Sequence, residues 1–301
     1  MPVGSHDFTD VILSGGTGRS GTTIIGKLLS RHSQVVLSRP AEIKFLTDGN
    51  GLLDLYLKKR VGRYKYLLVT DRLHLERFRY RLFNDWWERD SKDGEIAGLI
   101  QGIDLDQLTD LYQVMQRAWK VDRKFAPANF LREFIDLQKN SSGKQMWIDT
   151  TPINLSRSKD LASFLPGSRF IHMVRDGRDV ISSVIRENWG PNDYESGLAW
   201  YRRRMKRALS STNLLKSRVL TISLEELAIH RRQQSLEKVL AFVGVESETK
   251  LQDYFDSEVK PEKVIRGRWQ NEVPDVRSFN DSYFKIVAEL KEIYPSVPLA
   301  L

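Results

Sequence analysis

Val11 to Thr23 reads VILSGGTGRSGTT: a short apolar run breaks into a loop with four glycines and an arginine. Helical spacing of Ile24, Ile25, Leu28 and Leu29 follows at once. A strand that runs through a glycine-rich turn into a helix start builds an anion cradle. Glycine allows left-handed dihedrals and close backbone approach, and the first helical turn has N–H groups without a partner inside the helix. The helix dipole adds partial positive charge at the same point. The segment therefore predicts a strand–helix unit with a phosphate-like or sulfate-like group at its turn.

The rest of the chain extends that unit into an α/β fold. Short apolar runs at Asp10–Ser14, Val35–Ser38, Gln145–Asp149, Ser168–Val174 and Arg218–Ser223 predict about five strands of a parallel sheet buried on both faces. Helical periodicity covers Thr22–Arg31, Leu52–Lys59, Leu73–Arg89, Asp106–Val121, Ala128–Lys139, Ser158–Leu165, Asp179–Asn188, Tyr194–Ser210, Ser235–Val243 and Tyr283–Ile293. Alternating strands and helices imply a doubly wound sheet. The helical stretch 52–140 is too long for one crossover and reads as an insertion capping the carboxyl ends of the strands. No linker, repeat or low-complexity tract divides residues 1–301, so one domain is expected. Met1 to Phe8 reads as an unstructured lead-in.

Composition narrows the chemistry. The chain has no cysteine, which removes disulfides, thiolate metal ligands and thiol catalysis. No clustered His/Asp set suggests a metal. No apolar run approaches the roughly 20 residues that span a bilayer, and no signal-peptide pattern opens the chain, so a cytoplasmic enzyme is expected. A formal charge of +8 fits either non-specific nucleic-acid binding or attraction of a polyanionic small ligand.

Two nucleotide motifs nearly fit the glycine loop. Gly16, four residues and Gly21 match the frame of a phosphate-binding NTPase loop, but Thr22 stands where the lysine belongs. Gly16, Gly18 and Gly21 match G-x-G-x-x-G, but the second strand ends in Ser38-Arg39 rather than an acid. Only an NADP-dependent oxidoreductase, with Arg39 on the 2′-phosphate, survives as an alternative enzyme. A basic nucleic-acid-binding protein is the alternative outside enzymes.

A third reading takes Arg19-Ser20-Gly21-Thr22-Thr23 as one unit: a guanidinium, hydroxyls and free helix N–H groups around a tetrahedral anion. The loop resembles the 5′-phosphosulfate loop of the PAPS-dependent sulfotransferases. Phe170 to Val184, FIHMVRDGRDVISSV, resembles that family's second signature, in which a strand-end arginine and a helix serine eight positions later bind the donor's 3′-phosphate. Arg175 and Ser183 have that spacing, with Asp176 or Asp179 able to cap the helix. Trp147 to Pro152, WIDTTP, resembles the W-x-x-K-T-P segment, with Thr150 in place of its lysine. Val219 to Val245 resembles the strand plus "YEDL" and "FLG" helices, with Leu224 in place of the tyrosine. Arg266-Gly267-Arg268-Trp269 resembles the late loop that closes over the donor. The RSGTT loop and VRDGR turn lean towards the tyrosylprotein, carbohydrate and bacterial branches.

The resemblance implies in-line transfer of a sulfuryl group from PAPS, with PAP as product and no metal, to a hydroxyl on a carbohydrate, phenol, tyrosine or other small acceptor. It implies donor contacts from Gly18, Arg19, Ser20, Gly21, Thr22, Thr23, Arg175, Ser183, Arg266, Gly267 and Arg268. Arg19 is the expected leaving-group cation. Relatives with this loop use a glutamate soon after the second strand as base, and Glu42 stands there. It needs burial or a hydrogen bond to lift its pKa. The other reading is an exposed glutamate paired with Lys44. His32, near a helix end and its carbonyls, and the core-strand His172 are further base candidates, and His74 in the insertion is a candidate for the acceptor site. Trp189, Tyr194, Trp200 and Tyr201 either line a sugar or phenol pocket by stacking or pack the insertion onto the sheet. The sequence leaves the acceptor and the oligomeric state open.

Overall fold

The computed structural model describes residues 7–57, 71–90, 94 and 96–299. Most of the Met1–Phe8 lead-in, and Lys58 and Lys59 of the helix expected to begin at Leu52, lie outside them. In chain order the elements are β1 (Val11–Gly16), α1 (Thr22–Leu29), β2 (Val35–Leu37), α2 (Lys44–Thr47), α3 (Leu52–Leu57), α4 (Asp71–Tyr80), β3 (Arg89–Asp90) and β4 (Ile96–Ala97). They continue as α5 (Leu105–Trp119), α6 (Phe125–Ser142), β5 (Met146–Asp149), α7 (Ser158–Phe164), β6 (Arg169–Val174), α8 (Gly177–Val184) and α9 (Tyr194–Thr212). The last are β7 (Val219–Ser223), α10 (Arg232–Val243), α11 (Thr249–Glu258) and α12 (Val276–Ile293).

The expected α/β fold is present: five strands form a sheet of order β2-β5-β1-β6-β7, and the β2–β5, β1–β6 and β6–β7 pairs are parallel. The chain divides into two compact units. One comprises 1–11, 34–151 and 160–168; the other comprises 12–33, 152–159 and 169–301.

In the second unit the register pairs Gly16 with Met173 and Val174 with Ser223. The three segments that follow β1, β6 and β7 therefore leave from one sheet edge, the carboxyl end where ligands bind in such sheets. β1 is buried along its whole length, the mark of a strand covered on both faces. Val180, Ile181, Val184, Tyr201, Met205, Tyr283, Val287 and Leu290 bring α8, α9 and α12 into one apolar core. Gly177 and Gly197 permit this contact. A Cβ on Gly177 would stand 2.5 Å from Tyr201 Cζ, and one on Gly197 2.5 Å from Ile181 Cγ2.

In the first unit Val36 pairs with Trp147 across β2 and β5. Trp147 is fully buried and its Nε1 donates to Gln138 Oε1 of α6 at 2.8 Å, which satisfies the one polar atom of a large apolar ring. Phe45 packs edge-on against Phe130 and Phe134 of α6, with ring centroids 5.8 and 5.0 Å apart. α5 opens with a reciprocal capping box between Asp104 and Gln107.

The expected helix over Leu73–Arg89 is broken. α4 ends at Tyr80, a π turn covers Arg81–Asp85 with Trp86 N–H bonded to the Arg81 carbonyl, and the chain then extends into β3. The extra residue in that turn shifts the apolar spacing without erasing it. The helix expected from Asp179 starts two residues earlier, because Asp176 is its cap and accepts from Arg178 N.

Candidate active site

The turn after β1 holds Gly18, Arg19 and Gly21 at φ of 88°, 57° and 96°. Left-handed backbone is natural for glycine and strained for arginine, so the surroundings hold Arg19 there. Gly16 is set by close approach instead: a Cβ on it would stand 2.4 Å from the Met173 carbonyl oxygen. Gly21 caps α1, and no side chain accepts from the first turn. That turn's N–H groups therefore face outward as anion donors. The loop sorts its side chains. Arg19 and Thr23 are exposed, whereas Ser20 and Thr22 are buried, and the Ser20 hydroxyl makes no hydrogen bond among the described residues.

The turn after β6 is built around Arg175. Its Nη1 donates to the Arg19 carbonyl at 3.0 Å and its Nη2 to the Ile265 carbonyl, while its buried Nε has no partner among the described residues. Burial pulls this guanidinium below its ordinary pKa, with the Asp179 and Glu225 carboxylates opposing. Ser183, in the second turn of α8, accepts from Arg19 Nε at 2.9 Å. The two anion-binding elements read from the sequence therefore meet, through Arg19.

Two carboxylates fasten the late loop. Asp179 Oδ1 accepts from Gly267 N at 2.7 Å. Glu272 accepts from Ser182 Oγ at 3.0 Å and also takes Arg186 and the Tyr194 hydroxyl. A cleft of about 160 Å³ results, with Arg19, Arg175, Ser183 and Arg268 on its polar side and Leu224 and Ile265 on its apolar side. Arg266 is exposed outside that lining, and the Gly267 N–H is engaged by Asp179. Ile24, Ser182, Lys263, Val264 and Ile265 also line the cleft and were not read from the sequence, because the phosphate-binding motifs assign them no contact.

Glu42 belongs to the first unit. It is half-buried, and burial together with the Asp149 carboxylate pushes its pKa up to about 7, against Lys44 and Arg89. The alternative of an exposed glutamate does not hold, and no ion pair within 4 Å joins it to Lys44 among the described residues.

The sequence model of the sulfotransferase family matches residues 12–249. The chain belongs to the sulfotransferase family.

Two solved sulfotransferase structures share the fold. The sulfotransferase STF9 from Mycobacterium avium superposes with a TM-score of 0.51 at 15% identity, covering 98% of this chain and 79% of that one. The sulfotransferase domain from the curacin biosynthetic pathway gives 0.51 at 16%, covering 96% and 98%. Mouse SULT7A1, solved complexed with PAP, gives 0.46 at 13%, covering 94% and 85%. No curated protein matches the sequence.

In this sulfotransferase His32 and His172 are buried. His172 is fully buried in β6, and burial lowers its pKa to about 4, which keeps the ring neutral. His32 sits at the end of α1: its N–H donates to the Leu29 carbonyl at 3.1 Å, and its ring bonds the Glu246 carbonyl at 3.1 Å and lies 3.3 Å from Glu248. Trp200 and Tyr201 belong to the core of the second unit, so packing and not stacking on an acceptor explains them. Among the described residues no His/Cys/Asp/Glu group could hold a metal, and no helix is long and apolar enough to cross a membrane.

Proposed function

We propose that this sulfotransferase takes its sulfuryl group from PAPS and delivers it in line to an acceptor hydroxyl. One observation carries the reading: Arg19 and Arg175, from two separate phosphate-type turns, converge on one cleft and are bonded to each other's elements. A donor with phosphate at both its 3′ and 5′ positions suits such a doubly cationic cleft better than a monophosphate does.

The residues fit that donor. The Arg175 Nε and the uncapped first turn of α1 supply donors for which no side-chain acceptor is found among the described residues. Arg175 and Ser183 would hold the 3′-phosphate; the N–H groups of the loop from Gly18 to Thr23 would hold the 5′-phosphosulfate. Leu224 and Ile265 offer the base an apolar wall.

In the reaction the bond between sulfur and the bridging 5′-phosphate oxygen breaks, and a bond between sulfur and the acceptor oxygen forms. PAP leaves with the electron pair. Arg19 stabilises the charge that builds on the leaving oxygen, and it acts by electrostatics because a guanidinium stays protonated. The acceptor proton passes to the Glu42 carboxylate, whose raised pKa suits it to accept near neutrality. Positioning and charge stabilisation carry most of the catalysis, as in phosphoryl transfer.

The test is thermal melting with PAP and with NADP, followed by transfer of label from PAPS to a pooled set of phenols, glycosides and tyrosyl peptides. Stabilisation by PAP with labelled product supports the reading. Stabilisation by NADP alone would favour an oxidoreductase. Salt-sensitive DNA or RNA binding that survives Arg175→Ala with Ser183→Ala would favour a nucleic-acid-binding protein.

A further inference from the structure

The segment carrying Glu42 is held at two points by consecutive residues of another strand end. The Ala41 carbonyl accepts from Thr150 Oγ1 at 2.8 Å, Thr150 N at 3.0 Å and Ser38 Oγ at 3.1 Å. The Ile43 N–H donates to Asp149 Oδ1 at 2.9 Å. These atoms belong to the two peptide groups that flank the Glu42 Cα, so both peptide planes are fixed, while the carboxylate makes no hydrogen bond of its own among the described residues. The anchor is itself immobilised: Asp149 is fully buried and also accepts from Thr151 Oγ1 at 3.0 Å and Thr151 N at 3.2 Å.

We propose that Asp149 and Thr150 are positioning residues that clamp the Glu42 backbone and aim its carboxylate at the acceptor hydroxyl. The proposal rests on the reading of Glu42 as base. It also accounts for Thr150, which stands where the resembling segment has a lysine: a hydroxyl there ties down the base-bearing segment, which an ammonium, having only donors on a long stem, would do with less geometric control. The charged groups facing Glu42 are Asp149 and Asp48, which favour its neutral form, and Lys44 and Arg89, which favour its charged form.

The experiment compares Thr150→Val, Thr150→Ser, Ser38→Ala and Glu42→Gln in the full chain. Readouts are kcat for label transfer from PAPS to the pooled acceptors, PAP affinity by calorimetry, and the pH profile. Misplacing a catalytic group by about 1 Å costs on the order of a hundredfold, so Thr150→Val is expected to lower kcat by roughly tenfold or more with PAP affinity unchanged. Thr150→Ser, which keeps the hydroxyl, is expected to restore kcat, and Ser38→Ala to fall between. Should Thr150→Val fail to fold, Ser38→Ala decides. Unchanged kcat and pH profile in the folded clamp variants, beside an inactive Glu42→Gln, would overturn the clamp alone. Loss that Thr150→Ser does not restore would reduce the clamp to a structural contact. An active Glu42→Gln would overturn the base and the clamp together.

Discussion

Arg19 Nε donates to Ser183 Oγ at 2.9 Å, a bond across 164 positions that ties the glycine loop to α8. Arg175 closes the same connection from the other side by donating to the Arg19 carbonyl. The residue that faces the breaking bond in the proposed reaction is thus set by the element that would bind the far end of the donor. Ser183→Ala should weaken PAP binding roughly tenfold or more, because a hydrogen bond to a charged group is worth about 1.5–3 kcal/mol. Calorimetry reads this directly. The Tm should move by no more than about 4 °C, since an exposed bond is worth about 1 kcal/mol to a chain of this size.

Gly16 and Gly18 should separate close packing from backbone strain. A Cβ at Gly16 meets the Met173 carbonyl at 2.4 Å and Ser20 Oγ at 2.5 Å, and a strand carbonyl cannot move aside. Gly16→Ala should cost about 1–3 kcal/mol in urea unfolding. Gly18→Ala places its Cβ 3.7 Å from Trp189, so only the strain of φ 88° remains, about 1 kcal/mol.

The late loop depends on Asp179. Asp179→Ala frees the Gly267 N–H, and trypsin should then cut after Lys263, Arg266 or Arg268 faster than in the wild type. PAP affinity should fall alongside. Unchanged cleavage would show that the Glu272 contacts suffice to hold the loop.

Glu42 links activity and stability to pH with opposite signs. As a base it works only when deprotonated, so kcat/KM should rise with pH through about 7. Its folded pKa lies above the unfolded value, so between about pH 4.5 and 7 the folded chain binds more protons. Stability from this group should therefore fall as pH rises across that window. Glu42→Gln should remove both slopes and lower kcat by about 10²–10⁴-fold.

The phosphate-binding turns were legible because the chemistry demands particular residues at short spacing: glycines at Gly16, Gly18 and Gly21, and Arg175 eight positions before Ser183. The five sheet strands were legible as apolar runs. α11 was not, because only Leu251 and Phe255 face the core and one i,i+4 pair is a weak periodic signal. The burial of Ser20 and Thr22 comes from the tertiary packing around the loop, which composition does not encode. The Asp149–Ile43 and Thr150–Ala41 contacts join residues more than 100 positions apart, and no local pattern announces them.

The central claim is that the Arg19–Arg175 cleft holds a 3′,5′-doubly charged adenosine nucleotide. Calorimetric titration of the wild type and of Arg175→Ala with PAP and with 5′-AMP tests it most directly. The wild type should bind PAP far more tightly than 5′-AMP, and Arg175→Ala should abolish the difference. Equal binding of the two nucleotides by the wild type, or a preference that survives the loss of Arg175, would contradict it.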